Sequence, residues 1–354
     1  MKKTIAIITS IALITALIAG CSGVSSGQAS ASAEASVSQG AAVSTEESSS
    51  AAPAEKTDVS IAALIGPTGM GLVDLMDKQD KGEAENNYTF TLSGTPDDIV
   101  AKITSGEADI AAVPVNLAPT LYSKTNGNIK LLAINTLGVL YVVERGDTVQ
   151  SVKDLKGKTL YASGQAATPE YVLNFILSQN GIDPSGDLTI EYKADHSELA
   201  SLVMAGKADL AMLPEPFVTT VTQKDPDVRV SLDLTEEWDK LEGNDGSTLI
   251  MGVMIVRKDF AENNPEALSA FMDEYKASTE FVNSNPADAA ALIEQYGIMS
   301  SAELAEEAIP SCNIVYIDGQ EMKDKIAPLY QILFDSNPKS IGGSIPDDAF
   351  YYIG

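Results

Sequence analysis

The sequence predicts an α/β protein made of two similar lobes around a cleft. Three observations predict it. Short apolar runs alternate with segments of helical apolar spacing from residue 59 onward, as parallel sheets covered by helices require. The stretch Ile103-Thr104-Ser105-Gly106-Glu107-Ala108-Asp109-Ile110-Ala111-Ala112-Val113-Pro114 returns 100 residues later as Val203-Met204-Ala205-Gly206-Lys207-Ala208-Asp209-Leu210-Ala211-Met212-Leu213-Pro214. The 354 residues are enough for two units of about 150 each. Each copy of the echo reads as a helix end, a Gly C-cap, Ala-Asp, a buried strand and a Pro that stops it. Two lobes of one plan would each turn the loop after that strand toward a shared crevice, where open α/β sheets bind ligands.

The chain opens with Met1-Lys2-Lys3 and an apolar run over residues 4–18, too short for a spanning helix of about 18 residues or more. Ile18-Ala19-Gly20-Cys21 follows, with small residues before the cysteine, and resembles the bacterial lipoprotein signal. Residues 1–20 are therefore expected to be a signal peptide and Cys21 the lipidated first residue of the mature chain. Residues 21–56 read as a disordered tether, because eleven serines and nine alanines among residues 22–56 offer too little apolar surface to offset chain entropy. Its coil dimension is about 30–35 Å.

From there the elements follow in order. Residues 59–65 form an apolar strand, Gly66-Pro67-Thr68-Gly69 turns the chain, and Met70, Val73 and Met76 recur at helical spacing. Tyr88, Phe90 and Leu92 alternate as a strand. Thr95-Pro96-Asp97-Asp98 starts a helix with a capping hydroxyl, Pro at the first position and acids on the dipole. Strands over residues 108–113, 131–134 and 139–143 come next. A second series has a strand at 158–162, a helix from 169 to 180, a strand at 188–192, a helix from Ser197 and a strand at 208–213. Residues 249–256 are a buried strand, and the chain then reads as mostly helical to about residue 334.

Composition narrows function. Lys and Arg number 23 against 50 Asp and Glu, a net charge of −27, which excludes a phosphate-neutralising nucleic-acid surface. His196 is the one histidine, so a histidine metal site and most hydrolase triads are not expected. No cofactor is expected. Cys21 and Cys312 make no disulfide framework, and Cys312 reads as a small buried hydrophobe.

Over residues 57–354 the sequence resembles the type II solute-binding proteins of ABC importers, in the branch for nitrate, sulfonates, taurine and thiamine-precursor pyrimidines. The resemblance rests on Gly66-Pro67-Thr68-Gly69, Leu155-Lys156-Gly157-Lys158, Ser163-Gly164-Gln165-Ala166, Pro214-Glu215-Pro216-Phe217 and Val256-Arg257-Lys258-Asp259-Phe260, in that order and spacing. It implies the type II periplasmic-binding-protein fold, with lobe one over residues 57–138 and 252–354 and lobe two over 139–251. It also implies a hinge at crossings near 136–140 and 251–253, marked by Gly138 and Gly252. The implied protein is an extracytoplasmic, membrane-anchored monomer. It captures a small molecule and serves an ABC permease and its ATPase, and it is not an enzyme. The pyrimidine synthases that share the fold need a cysteine-rich motif and an active-site histidine that are missing here. A sensing or adhesive lipoprotein, and an enzyme on the same fold, remain as alternatives.

The expected site is made of loops. Pro67, Thr68 and Gly69 lie between a strand and a helix whose first N–H groups are expected to be unpaired. Ser163, Gly164, Gln165 and Ala166 form the equivalent loop in lobe two, with Thr168 expected to cap the following helix and the amides of residues 164–167 left for a ligand oxygen. Asn116 and Glu215 follow the two echoed strands. Glu215 either receives an N–H from the ligand or sits on a helix dipole. Gly138 and Tyr141 flank the first crossing, where Tyr141 could stack on a flat ligand. His196 is expected at the surface beside a cap, and Trp238 is a candidate lip over the cleft. Arg145, Arg229 and Arg257 fall at strand ends, so a bidentate arginine clamp for a carboxylate is not expected. The ligand is expected to be small, polar and nitrogen- or sulfur-containing.

Overall fold

The computed structural model describes residues 56–241 and 246–354. The expected signal peptide, Cys21 and the expected tether before residue 56 lie outside the described residues. The chain runs β1 (Asp58–Leu64), α1 (Pro67–Met70), α2 (Val73–Lys81), β2 (Asn87–Ser93), α3 (Pro96–Ser105), β3 (Ile110–Pro114), α4 (Leu117–Lys124) and β4 (Ile129–Leu137). It continues with β5 (Leu140–Arg145), β6 (Thr159–Ala162), α5 (Thr168–Gln179), β7 (Thr189–Tyr192), α6 (His196–Met204), β8 (Leu210–Pro214), α7 (Phe217–Lys224), β9 (Val228–Asp233) and α8 (Leu234–Asp239). It ends with β10 (Ile250–Arg257), α9 (Lys258–Asn263), α10 (Pro265–Ser284), α11 (Pro286–Gln295), α12 (Ala302–Ala308), β11 (Ile314–Asp318) and α13 (Gly319–Ser336).

Two sheets result, ordered β11-β4-β10-β3-β1-β2 and β7-β6-β8-β5-β9. Apart from β11 they share one plan. In the first, β1, β2 and β3 are parallel, and β10 runs antiparallel between β3 and β4. In the second, β6, β7 and β8 are parallel, and β5 runs antiparallel between β8 and β9. The echo seen in sequence is thus a structural one: β3 and β8, and α4 and α7, begin and end 100 residues apart. The antiparallel strand of each sheet is the one that arrives from the other sheet. β5 follows β4 through Gly138-Val139, and β10 returns the chain after α8.

Local chemistry accounts for the element ends. α3 starts at Thr95 with Pro96 at its first position, buries Ile99 and Ile103, and stops at Gly106 in the left-handed region at φ 82°. Thr95 makes no side-chain cap, contrary to expectation. Ser93 Oγ instead donates to Asp98 Oδ2 at 2.7 Å. The helix expected through Met70–Met76 is two pieces, α1 and α2, broken at Gly71. A Cβ on Gly71 would lie 3.1 Å from Tyr275 Oη and 3.3 Å from Thr279 Oγ1, so α10 presses on the backbone there.

The core is continuous beneath both sheets, joining Ile99, Val113 and Leu131 to Val142, Leu173 and Ile176 through Tyr330, Phe350 and Leu329. Each such side chain contributes about 1.5–3 kcal/mol by leaving water. Trp238 belongs to this core and is no lip: it is fully buried, packs at a 42° tilt on Phe175 with ring centroids 4.9 Å apart, and donates Nε1–H to the Ser247 carbonyl. Cys312 is buried as expected. The C-terminal aromatics dock on the first sheet, where Tyr352 N–H donates to the Leu131 carbonyl.

Candidate functional site

The parallel strands of both sheets end in the loops that build the site. Backbone bonds tie two of these loops to the crossings in the same way. Val115 N–H, just after β3, donates to the Met251 carbonyl, and Glu215 N–H, just after β8, donates to the Val139 carbonyl. Asn313, with φ 44°, donates its side-chain amide to the Gly138 carbonyl, which pins the first crossing.

In the first sheet's half, Pro67 is the first residue of α1 and half-buried. Gly69 and Met70 N–H both donate to the Gly66 carbonyl, so the expectation of unpaired amides fails there. Gly66 at φ 120° is open only to glycine at low cost. Thr68 Oγ1 lies 3.5 Å from the Leu64 carbonyl, and its methyl group sits over Gly252, where a Cβ would be 2.4 Å away. A Cβ on Gly69 would be 2.5 Å from the Leu64 carbonyl oxygen. Asn135 Nδ2 braces this loop by donating to the Thr68 carbonyl. The loop is therefore a tight turn packed on the second crossing. Gly138 is pressed likewise: a Cβ there would be 2.1 Å from Thr235 Oγ1.

Asn116 is 4% exposed and accepts a 2.8 Å hydrogen bond on Oδ1 from Thr168 Oγ1, the first residue of α5. This bond joins a loop of the first sheet to a helix of the second. Thr168 is thereby not the cap the sequence suggested. The N-cap is Ala167, which makes no side-chain bond. On the other flank, Gln223 of α7 donates to the Glu307 carboxylate of α12.

Ser163 is 1% exposed, and its Oγ lies 2.6 Å from His196 Nδ1. Gly164 at φ 79° packs against Pro169, while Gln165 and Ala166 are exposed, with Ala166 at φ 59°. Two of the four loop amides are engaged: Ala166 N–H donates to Glu170 Oε2 and Ala167 N–H to the Gly164 carbonyl. The expectation of four free amides fails for these two.

His196 is not the surface residue expected from sequence. Its ring is half-buried, 5.8 Å from the ring of Phe217, and burial holds its pKa below the ordinary imidazole value. Asp195 caps α6 by accepting from Glu198 N–H, which leaves the imidazole free to face Ser163. Glu215 is 4% exposed, and its Oε2 accepts from Thr219 N–H at 3.1 Å. Burial pushes this carboxyl above the ordinary carboxylate range, and the Glu307 charge adds to the push. Tyr141, second in β5 and half-buried, pairs with Leu213 in register. Burial raises its hydroxyl pKa, with the charges of Asp233 and Glu215 adding to the effect. Glu215 likewise acts on the buried thiol of Cys312.

Ser163, His196, Phe217, Glu215 and Tyr141 thus adjoin one another along the ends of β6, β7, β8 and the start of β5, and Asn116 faces them through Thr168. Sequence reading missed Thr168 as a link and His196 as a partner of Ser163. A groove of about 570 Å³ lies apart from them, between Asn174, Phe175 and Gln179 of α5 and Pro328 and Ile332 of α13. Among the described residues, no group of three or more His, Cys, Asp or Glu is placed to hold a metal, and no helix is long and apolar enough to cross a membrane.

Comparison with known proteins places this geometry in context. A family model described as the periplasmic substrate-binding protein of a phosphonate ABC transporter matches residues 81–307. The chain is similar to the crystal structure of an ABC transporter from Parabacteroides distasonis, at 25% identity and a TM-score of 0.71, over 84% of this chain and 99% of that one. It is also similar to the periplasmic aliphatic sulphonate-binding protein SsuA of Escherichia coli, at 15% identity and a TM-score of 0.65, over 83% and 95%. A third likeness is to the alkanesulfonate-binding protein SsuA of Xanthomonas axonopodis pv. citri bound to MOPS, at 13% identity and a TM-score of 0.63, over 84% and 99%. Identities this low for the two SsuA proteins speak to fold alone. No curated protein matches the chain.

Proposed function

The chain belongs to the phosphonate-type periplasmic substrate-binding proteins of ABC transporters, and from that premise we propose that it binds a small zwitterionic or amine-bearing organic anion between its two sheets. The two lobes, residues 57–138 with 252–354 and residues 139–251, close on the ligand about the crossings at Gly138 and Gly252. The protein then presents the ligand to a permease and its ATPase. It works as a monomer held to the membrane by lipid on Cys21, and it performs no chemistry on the ligand.

The observation that carries this reading is the presence of two buried polar side chains, Ser163 and Glu215, at the ends of the neighbouring strands β6 and β8. Each has one partner, His196 for the hydroxyl and Thr219 N–H for the carboxyl, and each keeps further hydrogen-bonding capacity, so the pair at neighbouring strand ends is suited to a polar ligand. The Ser163 hydroxyl, with the Gly164 and Gln165 amides in the loop ahead of the twelve-residue α5, suits a phosphonate or sulfonate oxygen. Glu215 suits an ammonium or heterocyclic N–H. Tyr141 lies beside Glu215 to cover the ligand body. Pro67, Thr68, Gly69 and Asn116 form the opposing wall, with Ala166 at its rim. The sulfonates held by the two SsuA proteins fit the anionic half of this scheme.

Mass spectrometry of compounds released from the purified mature protein, followed by calorimetry with each compound found, tests the proposal. A protein that retains no small molecule and binds neither amino-sulfonates nor amino-phosphonates would overturn it.

A further inference from the structure

Ser163 has one proton to donate, and its nearest polar neighbour decides where that proton goes. The Oγ–Nδ1 distance of 2.6 Å is a hydrogen bond whichever side supplies the hydrogen. A neutral imidazole protonated on Nε2 can only accept at Nδ1. Ser163 then spends its proton on the ring and shows lone pairs to the cleft. An imidazolium can only donate at Nδ1. The serine then accepts from the ring, and its own O–H turns to the cleft with a positive charge behind it. Asp195 caps α6, so the ring is not needed there, and the Phe217 ring packs beside it, tilted at 45° with centroids 5.8 Å apart.

We infer that His196 is a positioning residue whose protonation turns Ser163 from hydrogen-bond acceptor to donor, so that an anionic ligand binds here together with a proton. The inference rests on the cleft being the ligand site and adds a regulation to it. The surroundings agree. Burial disfavours the imidazolium in the unliganded chain, and the Asp195 carboxylate partly opposes this. Other ionisable groups stand on the neighbouring elements: Glu198 on α6, Lys193 and Tyr161 at the β7 and β6 ends, Glu215 before α7, and Glu170 in the first turn of α5. Asp195 is the one whose charge bears on the ring. A bound oxyanion at Ser163 would bring a second negative charge near the ring. Because linkage is reciprocal, an anion that raises the imidazole pKa must itself bind more tightly as protons become available. Between the free and liganded pKa values, affinity rises about tenfold for each unit fall in pH.

His196 is the one histidine of the chain, so its ring resonances need no assignment. The test is a nitrogen-detected NMR titration of the full chain from about pH 5 to pH 8, without and with methanesulfonate, a strong-acid anion whose charge is constant over that range. Calorimetry of the same anion at each pH accompanies it. The expected result is a neutral ring protonated on Nε2 in the free protein, a higher pKa with the anion, and affinity that climbs as pH falls. His196→Asn is expected to flatten that climb, and Ser163→Ala to remove most of the anion-induced shift. A neutral ring protonated on Nδ1, or a pKa unmoved by bound anion with pH-independent affinity, would overturn the coupling and leave the cleft reading standing. Absence of methanesulfonate binding at every pH would overturn the coupling as well. If the amides of residues 163–168 also ignore every compound that co-purifies, the cleft reading fails on its own account.

Discussion

Replacing Glu215 by Gln separates the two roles open to this side chain, since the shape stays and the charge goes. In the structure Oε2 accepts from Thr219 N–H at the head of α7, so the carboxyl does serve a helix terminus. A charge-assisted bond exceeds a neutral one by about 1 kcal/mol, and the helix dipole adds roughly 0.3–1 kcal/mol. Those losses alone would destabilise the variant. Burial opposes them and is the largest influence on this group, raising its pKa in the folded chain. The sign follows. A carboxyl with a raised folded pKa binds its proton more readily folded than unfolded. Its contribution is complete below the unfolded value near 4.5 and is lost as pH rises through the folded value. At neutral pH the buried charge is thus a net burden on the unliganded protein. Glu215→Gln should leave apo stability in urea unchanged or raised at neutral pH, and the wild type should close that gap as pH falls toward 4.5. Ligand affinity should move the other way. An amine-bearing ligand loses about 1–2 kcal/mol, or 5–30-fold, in calorimetry. If instead the variant is less stable at neutral pH and binds the co-purified ligand as well as wild type, Glu215 serves only α7. The case for an amine on the ligand then falls.

Other perturbations test separate parts of the molecule. Cys21→Ser should move the protein from the membrane to the soluble fraction or leave its leader uncleaved; membrane partition with normal cleavage would refute lipidation. Gly138→Ala drives a Cβ to 2.1 Å from Thr235 Oγ1 and should cost about 1–3 kcal/mol in urea. The Thr235 hydroxyl is buried without a hydrogen-bond partner, so Thr235→Ala alone should be near neutral and should recover part of the Gly138→Ala loss. No recovery would show that the crossing is strained by something else. Thr168→Val leaves Asn116 Oδ1 buried and unpaired and should lower apo stability by about 1–3 kcal/mol. An unchanged urea midpoint would mean that this link between the sheets is not held in solution. Saturating ligand should reduce the radius of gyration and add about 2.7 kcal/mol to stability at a hundred times Kd; scattering that does not change with a tight binder would refute closure.

The parts of the fold that could be read in sequence are those set by local periodicity. β3 and β8 are continuous apolar runs between a glycine and a proline, and each is buried along its length. β11 escaped because it is an edge strand whose residues carry no strict alternation, whereas β9, also at an edge, alternates Val228, Val230 and Leu232 with polar residues and was missed all the same. α4 and α7, at eight residues each and rich in Thr, Ser and Pro, are too short for helical spacing to declare itself. The site divides along the same line. The positions of Ser163 and Glu215 after strand ends were legible because each sits next to a strand end and a helix start. The 2.6 Å contact of Ser163 with His196 joins residues 33 apart through the pairing of β6 with β7. The Thr168–Asn116 bond joins residues 52 apart on different sheets. No spacing rule reaches across either. The state of the Ala166 amide depends on where the Glu170 carboxylate turns, which is a property of the folded loop.

Charge placement explains why the anionic half of such a site would draw on a proton. All three arginines are spent at the edges of the sheets where the parallel strands begin. Arg145 pairs with Asp225, Arg229 with Glu144, and Arg257 with Asp259. Arg257 also donates to the Gly106 carbonyl, just ahead of β3. Lys193, at the end of β7, leans on the Tyr161 ring at 5.0 Å and pairs with Glu191. The opposite edges, where Ser163 and Glu215 lie, would therefore meet a ligand with no guanidinium. A dianion held by hydroxyl and amides alone would meet the repulsion of the Glu215 carboxyl in a protein of net charge −27. That repulsion is avoided in two ways, and both can operate together. The ligand can carry its own ammonium to Glu215, and the site can take up a proton at His196. An anion without an amine has only the second route, and its affinity should fall away as pH rises. A zwitterion has both and should hold across the neutral range. Comparing methanesulfonate with an amino-sulfonate of similar size over the same pH series reads this difference directly. Equal pH dependence for the two would mean that Glu215 gives the amine no help.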